Sequence, residues 1–201
     1  MVESSLQHLW PKRITMWFVR HTRQLNADAR FEQKCSGPER AGKMMLHRLP
    51  VLRAHVLPLI GLTVRADQLD LVSSNAKTLA EAAYETGSQV WGLWDDAALV
   101  GLMAMINPSA HPFQDYPFAD PRDGTPAAYL WRLMVGAGFQ GCGYGAAALQ
   151  MAFTQSRAWG YSRLIAHVSH APHSNLPFYQ RYGFETTGLI EDDEQVIAVK
   201  V

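Results

Sequence analysis

Residues 133–149 read LMVGAGFQGCGYGAAAL and place Gly141, Gly143 and Gly145 within five positions, directly before a run of alanines. Glycine permits positive φ and lets another group approach the backbone, and alanine is the strongest helix former. The stretch therefore predicts an apolar strand, a tight turn and the start of a helix. The first amides of a helix have no partner within it and lie at the positive end of its dipole, which favours an anion. Close packing of strand against helix would explain the same glycines, and both interpretations stay open at this point.

Two common phosphate-binding motifs do not fit these residues. A Walker loop ends in Gly-Lys-Ser/Thr, whereas Gly143 and Gly145 lead into alanines without a lysine. A dinucleotide fingerprint needs G-x-G-x-x-G within a β-α-β unit, and the run from Gly141 is G-x-G-x-G with no such pattern upstream. Triphosphate chemistry and a Rossmann-type site are therefore excluded.

The segments on either side of the glycines alternate between strand and helix patterns. Strands are predicted at 127–135, 163–168 and 195–201, with helices at 144–160 and 176–182. Upstream, SNAKTLAEAAYE predicts a helix capped by Ser74 or Asn75, and residues 88–106 predict two strands around a turn at Asp95 and Asp96. The second of these strands is apolar throughout and is expected to be central in a sheet. The fold class is mixed α/β.

Length and charge predict one globular domain with an N-terminal extension. The chain has 201 residues, 48% of them hydrophobic, which suffices for a single core. Lys/Arg and Asp/Glu number 18 each, so the neutral net charge argues against nucleic acid as a partner. Residues 1–43 hold eight basic against four acidic side chains, and the remainder holds ten against fourteen. We expect residues 1–43 to be a poorly ordered extension and residues 44–201 to form the domain.

The cysteines and the hydropathy predict a location in the cytoplasm. Cys35 and Cys142 lie far apart in sequence without metal-like spacing, which argues against a disulfide framework and fits a reducing compartment. No apolar run is long enough to span a bilayer, and ITMWFV is too short for the core of a signal peptide. No membrane partner is expected.

Two motifs resemble the GCN5-related N-acetyltransferases (GNAT). The acetyl-CoA motif of that family runs from a valine at the end of the central strand, through an aromatic and Gln/Arg, to x-x-G-x-Gly/Ala. Val135, Phe139, Gln140, Gly143 and Gly145 occupy those positions. Downstream, FYQRYGFE resembles the second signature of the family, aromatic-Tyr-x-x-x-Gly-Phe. The resemblance implies the GNAT fold, a central, mostly antiparallel mixed sheet that is splayed at its middle strands and flanked by helices.

The same resemblance implies acetyl-CoA as co-substrate and no metal. The strand that ends at Met134 and Val135 would bind the pantetheine amides through its open backbone edge. The amides from Gly141 to Ala146 would hold the diphosphate. Cofactor-binding residues implied in this way are Met134, Val135, Gln140, Gly141, Cys142, Gly143, Tyr144, Gly145 and Ala146, with Gln140, Cys142 and Tyr144 contributing mainly backbone.

Tyr179 is the catalytic residue that the resemblance implies. It would lie beside the thioester sulfur and donate a proton to the leaving thiolate, and a phenol with a pKa near 10 is protonated at neutral pH. The alternative is an aromatic that packs against the cofactor. The base that deprotonates the amine stays open between His167 and Glu81, each of which is otherwise a packed or solvated side chain. His167, His170 and His173 are three apart, but a strand followed by a proline-containing loop would not direct them to one metal.

The expected acceptor is the primary amine of a small molecule. The segment 64–85 and the C-terminal end resemble a branch related to polyamine N-acetyltransferases, and Glu81, Glu85 and Glu194 would attract an amine unless they are ordinary surface charges. A homodimer is compatible with this interpretation. The alternative function is an acetyl-CoA-binding regulatory or scaffold module without turnover, and retention of Tyr179 favours the enzyme.

Overall fold

The computed structural model of the chain describes residues 44–110 and 118–201. The predicted extension, 1–43, lies outside the described residues, as does part of the proline-rich loop between 108 and 126. The described elements follow in chain order: β1 (Leu46–Pro50), α1 (Arg53–Gly61), α2 (Asn75–Ala82), β2 (Ser88–Asp95), β3 (Ala98–Ile106), β4 (Ala128–Val135), α3 (Tyr144–Ala158), β5 (Arg163–Ser169), α4 (Leu176–Gln180), β6 (Glu185–Glu191) and β7 (Glu194–Lys200).

Seven strands form one sheet in the order β1-β2-β3-β4-β5-β7-β6. All neighbours pair antiparallel except β4 and β5, which are parallel. A parallel pair needs a crossover, and α3 supplies it between these two strands. The predicted mixed, mostly antiparallel sheet is confirmed.

The sheet divides at its only parallel pair of strands in the described residues. Ala128, Tyr129 and Leu130 of β4 pair with Leu164, Ile165 and Ala166 of β5, and the pairing ends there. Beyond this point, β4 continues to Val135 beside β3, and β5 continues to Ser169 beside β7. The two strands therefore diverge after Leu130 and Ala166, and we call this divergence the fork. The predicted splay of the central strand is confirmed.

Helices cover both faces of the sheet. Alternate residues of β3 point to opposite sides, so that Met103 and Met105 pack toward α3 while Leu102 and Ala104 pack toward α1. The α3 face holds the larger cluster, to which α4 adds partly buried side chains. The fork is thus bordered by α3 and α4 on one face and by α1 and α2 on the other.

Local sequence signals explain most element boundaries. Ser74 caps α2 by accepting a hydrogen bond from the Lys77 amide, and the neighbouring Asn75 is buried and donates to the carbonyl oxygens of Leu59 and Leu62. Gly160 has φ of 87° just after the end of α3, which is typical of a glycine that ends a helix. The strand β6 was missed, because its outward residues alternate weakly and its turn to β7 is built from Asp192 and Asp193 at positive φ without a glycine.

Candidate active site

The glycine turn joins β4 to α3 in the predicted way. A short 3-10 helix, Ala137–Phe139, follows β4, and Gly141 and Gly143 then adopt φ of 78° and 86°. Gly143 is the N-cap of α3, and the Ala147 amide is the first to donate back to its carbonyl, at 3.1 Å. The amides that precede Ala147 therefore lie at the positive end of a 15-residue helix.

Two physical reasons explain why the turn has glycine at these three positions. Gly141 and Gly143 have no heavy atom within 3.4 Å of an added Cβ, so their positive φ is what demands glycine. At Gly145, a Cβ would lie 3.1 Å from Phe178 Cζ, so this glycine lets α4 approach α3. Both interpretations that the sequence left open thus apply, each to its own residue.

A cleft of about 330 Å³ lies over this turn. We call it the glycine cleft. Its wall combines the end of β4, the turn, the first residues of α3, three side chains of the α1–α2 loop and the α4 region. It is lined by Val64, Gln68, Val72, Leu133, Met134, Val135, Phe139, Gln140, Gly141, Gly143, Tyr144, Gly145, Ala146, Asn175, Phe178, Tyr179, Arg181 and Tyr182.

Gln140 ties the turn to its surroundings through its side chain. Its Nε2 donates to the Val135 carbonyl at 3.0 Å and to Gln68 Oε1 at 2.7 Å, and its Oε1 accepts from Arg65 Nη1 at 2.8 Å. The residue was expected to contribute mainly backbone. Its side chain connects the end of β4 with the α1–α2 loop, which fixes the position of the turn, and its contribution to the cofactor stays a prediction.

Tyr144 fixes the other side of the turn. Its side chain is 2% exposed, and its hydroxyl donates to Asp95 Oδ2 at 2.5 Å. Asp95 also accepts from the Met45 amide at 3.2 Å. The first residue of α3 is therefore anchored to the β2–β3 turn by its side chain. Met134 likewise faces away from the cleft, since its side chain packs with Leu59 on the α1 face.

A second cavity of about 260 Å³ lies at the fork, and we call it the fork channel. Its β4 wall consists of four consecutive residues, 130–133. The register with β3 shifts within this stretch, because Ala104 pairs with Arg132 and Met105 with Leu130, which leaves Trp131 as the extra residue of a β-bulge. Val72, Leu133, Asn175 and Tyr179 line both the fork channel and the glycine cleft. The two cavities therefore adjoin, with Tyr179 at their junction.

Tyr179 is held by aromatic neighbours. Its ring makes edge contacts with Phe178 and Phe184 at centroid distances of 5.1 and 5.3 Å. Burial raises the pKa of the Tyr179 hydroxyl to about 12, because the phenolate would lose its hydration. The hydroxyl thus stays protonated throughout the physiological range and is available as a donor.

A third cavity of about 370 Å³ adjoins the fork channel and is rich in carboxylates. We call it the acidic mouth. Trp131, Arg132, His167 and Glu194 line both cavities. The acidic side chains of the mouth are Glu85, Glu191, Asp192 and Glu194, against the single cation Arg132 among the described lining residues. A cationic group would be attracted there by Coulomb forces.

The two candidate bases, His167 and Glu81, lie in different surroundings. His167 faces the fork channel and the acidic mouth. Glu81 lines none of the three cavities and pairs with Arg132 at 3.4 Å and with Lys77 at 3.5 Å. Its carboxylate is thus paired with two cations, whereas Glu85 and Glu194 line the acidic mouth.

The remaining sequence candidates are placed as follows. Cys142 is disulfide-bonded, so the expectation of reduced cysteines is wrong at this position. His173 contacts Asp70 Oδ2 at 2.9 Å, while His167 faces Glu191 and Glu194, so these two histidines serve different partners. Within 44–110 and 118–201, no group of three or more His, Cys, Asp or Glu side chains is arranged for a metal.

Several lining residues were missed by the sequence argument. Val64, Gln68 and Val72 come from an irregular loop, and their approach to β4 depends on tertiary packing that no local pattern reveals. Asn175 is the N-cap of α4, and a polar residue before LPFY is a signal that would have pointed to it. Glu191 and Asp192 belong to the hairpin formed by the missed strand.

The comparisons with known proteins agree with this geometry. Residues 64–184 match the model of the Acetyltransferase (GNAT) family, and the match covers more than half of the chain. The chain belongs to the GNAT acetyltransferases, which are acetyl-CoA-dependent acyltransferases. No curated protein matches the sequence.

Solved structures share the fold at low sequence identity. A GNAT family acetyltransferase from Elizabethkingia anophelis with acetyl-CoA bound is 13% identical, with a TM-score of 0.52 over 78% of this chain and 98% of that chain. The PaiA N-acetyltransferase from Thermoplasma acidophilum, in complex with coenzyme A, is 14% identical, with a TM-score of 0.56 over 79% and 100%. The IAA acetyltransferase from Bacillus cereus is 14% identical, with a TM-score of 0.51 over the same shares.

None of the helices in 44–110 and 118–201 combines the length and the apolar character that a transmembrane helix requires.

Proposed function

We propose that this acetyltransferase transfers the acetyl group of acetyl-CoA to a primary amine of a small molecule, by direct attack within a ternary complex. The observation that carries the proposal is the position of Tyr179 at the junction of the glycine cleft and the fork channel. Two substrates that enter from different cavities can meet beside this hydroxyl. A covalent acetyl-enzyme is then unnecessary.

The glycine cleft is the proposed cofactor site. The amides of residues 141–146 hold the diphosphate at the start of α3, where backbone donors and the helix dipole both favour an anion. The edge of β4 from Trp131 to Val135 has no pairing with β5 and is available to the pantetheine amides. Arg181, on the wall of the cleft, adds a positive charge for the phosphates.

Tyr179 is the proposed general acid. The amine attacks the thioester carbonyl, and the tetrahedral intermediate collapses with cleavage of the C–S bond. The Tyr179 hydroxyl donates its proton to the departing thiolate, and the amide nitrogen loses its second proton as the tyrosine is restored. The pKa of about 12 keeps this hydroxyl protonated before each turnover.

A polyamine is the acceptor that we favour. Glu85, Glu191, Asp192 and Glu194 surround the acidic mouth, where the second ammonium group of a polyamine would be stabilised while the first reaches the fork channel. An amino acid would bring a carboxylate into this acidic surrounding and would be repelled.

Release of free thiol from acetyl-CoA tests the proposal with a panel of polyamines, amino acids and aminoglycosides. Turnover with polyamines and little with amino acids supports it. Turnover only with amino acids would support acetyl transfer to an amine and contradict the choice of a polyamine as acceptor. Thermal stabilisation by acetyl-CoA without turnover on any amine would instead identify a regulatory or scaffold module.

A further inference from the structure

His167 occupies the passage between the fork channel and the acidic mouth. It is the β5 residue directly after Ala166, the last residue of that strand to pair with β4, so it lies at the apex of the fork. Its side chain is 22% exposed, and the imidazole packs against the Tyr129 ring at a centroid distance of 5.2 Å. The ring is therefore held in place while it remains accessible from both cavities.

Two carboxylates flank the imidazole on the side of the acidic mouth. His167 Nε2 lies 3.5 Å from Glu191 Oε2, and Nδ1 lies 3.9 Å from Glu194 Oε2. Both carboxylates are almost half exposed, which connects them with solvent. The other titratable or charged side chains of the two cavities are Lys77 on α2, Glu85 after α2, Tyr129 and Arg132 on β4, Tyr179 on α4 and Asp192 in the β6–β7 turn.

We infer that His167 is the catalytic base that takes the proton of the acceptor ammonium, and that Glu191 and Glu194 stabilise the imidazolium and pass its proton to solvent. The inference rests on the proposed function. The ammonium N–H bond breaks and its proton joins the imidazole nitrogen that carries the lone pair. The free amine then forms the C–N bond to the acetyl carbon, while Tyr179 supplies the separate proton that the thiolate takes.

Position distinguishes His167 from the other acidic and basic side chains. Glu81 pairs with two cations and lies outside the three cavities. Among the carboxylates of the acidic mouth, only Glu194 also lines the fork channel, and it does so beside the imidazole. A proton can thus move from the fork channel through His167 toward solvent without crossing the glycine cleft, where the thioester lies in the proposed complex.

The test compares kcat as a function of pH for wild type, His167→Gln and a matched control, His170→Gln. His170 is an exposed histidine three residues further on that lines none of the three cavities. Spermidine serves as acceptor, or the best amine of the panel if spermidine is poor. We expect His167→Gln to lower kcat by about 100-fold at pH 7, the scale of general base catalysis, with unchanged affinity for acetyl-CoA.

The difference in kcat between wild type and His167→Gln should decrease as the pH rises toward 9.5, because more of the acceptor is then a free amine that needs no base. His170→Gln should retain the wild-type profile. A loss in His167→Gln that is constant over pH, or no loss, would overturn the inference. A wild-type enzyme that acetylates no amine would overturn the proposed function, and the inference would fall with it.

A second variant, Glu194→Gln, tests the inference even if His167→Gln does not fold. Glu194→Gln removes one carboxylate beside the imidazole and keeps the shape of the side chain. We expect kcat to fall by about tenfold at pH 7, with the same recovery at high pH. If His167→Gln does not fold, judged by its melting temperature, an unchanged kcat in Glu194→Gln would overturn the inference.

Discussion

Gly143 and Gly160 stand at opposite ends of α3, and both adopt the left-handed conformation, with φ of 86° and 87°. Neither has a heavy atom within 3.4 Å of an added Cβ, so alanine would cost the same kind of backbone strain at each, about 1–2 kcal/mol. Comparison of the two alanine variants therefore distinguishes the effect of backbone strain on stability from an effect on coenzyme A binding.

We predict that Gly143→Ala and Gly160→Ala lower the free energy of unfolding to a similar extent, and that Gly143→Ala alone weakens coenzyme A binding. The expected rise in Kd is about tenfold, equivalent to about 1.4 kcal/mol, because a changed backbone conformation at residue 143 would change the direction of the amides that bind the diphosphate. Urea unfolding and titration calorimetry provide the two measurements. Equal Kd values for both variants would show that the turn does not hold the cofactor.

Tyr179→Phe should lower kcat by about 100-fold while the Kd for coenzyme A changes little, because only the proton donor is removed. Tyr182→Phe is the matched control, since Tyr182 lines the glycine cleft but not the fork channel. Thiol-release kinetics measure both variants. Normal turnover in Tyr179→Phe would remove this residue from its proposed role.

The raised pKa of Tyr179 also predicts a pH dependence of stability. The folded state keeps the phenolic proton up to about pH 12, whereas the unfolded chain releases it near pH 10. The stability associated with this proton is complete below pH 10 and is lost as the pH rises toward 12. Between pH 9 and pH 11, wild type should lose about 1 kcal/mol more than Tyr179→Phe in urea unfolding. Parallel losses in the two proteins would contradict the assigned burial.

The sequence predicted the chemistry of the glycine turn better than its surroundings. Positive φ at Gly141 and Gly143 follows from residue type, and the strand before and the helix after are local patterns. The acidic mouth is different, since it joins Glu85, which follows α2, to Glu191 and Glu194 on neighbouring strands. Those residues meet only because β7 inserts between β5 and β6, and strand order is a long-range property.

Glu81 and Glu85 could not be ranked from the sequence, because their surroundings also depend on long-range packing. They lie four residues apart, yet Glu81 pairs with Lys77 and Arg132 while Glu85 reaches the acidic mouth. The partner of Glu81 is on β4, 51 residues away. Only the packing of α2 against the sheet decides that Glu81 meets Arg132 and that Glu85 lines the acidic mouth.

The lowered pKa of Asp120 predicts that the stability of the fold decreases at low pH. Asp120 is fully buried and accepts hydrogen bonds from Arg122 and Arg163, and these hold its pKa at about 2. Its contribution is present above the unfolded pKa of about 4 and is lost as the pH falls to 2. Asp120→Asn should lose about 2 kcal/mol at pH 7 and little more on acidification.

The half-exposed Asp123 pairs with Arg163 as well and supplies the control for this prediction. Asp123→Asn should stay close to wild type in urea unfolding at both pH 7 and pH 3. If Asp120→Asn is as stable as Asp123→Asn at pH 7, the buried carboxylate does not stabilise the loop that follows residue 118.

Deletion of residues 1–43 tests the proposed domain boundary. The three apolar clusters of the described residues are built from side chains between Leu46 and Val201, and they connect six of the seven strands, all except β6, to α1 and α3. A chain of residues 44–201 should therefore fold cooperatively and bind coenzyme A with the affinity of the full chain. Thermal unfolding followed by circular dichroism, together with calorimetry, checks this in reducing buffer, so that Cys142 is in the same state in both proteins. An insoluble product, or a Kd raised more than about tenfold (about 1.4 kcal/mol), would assign the first 43 residues to the folded domain.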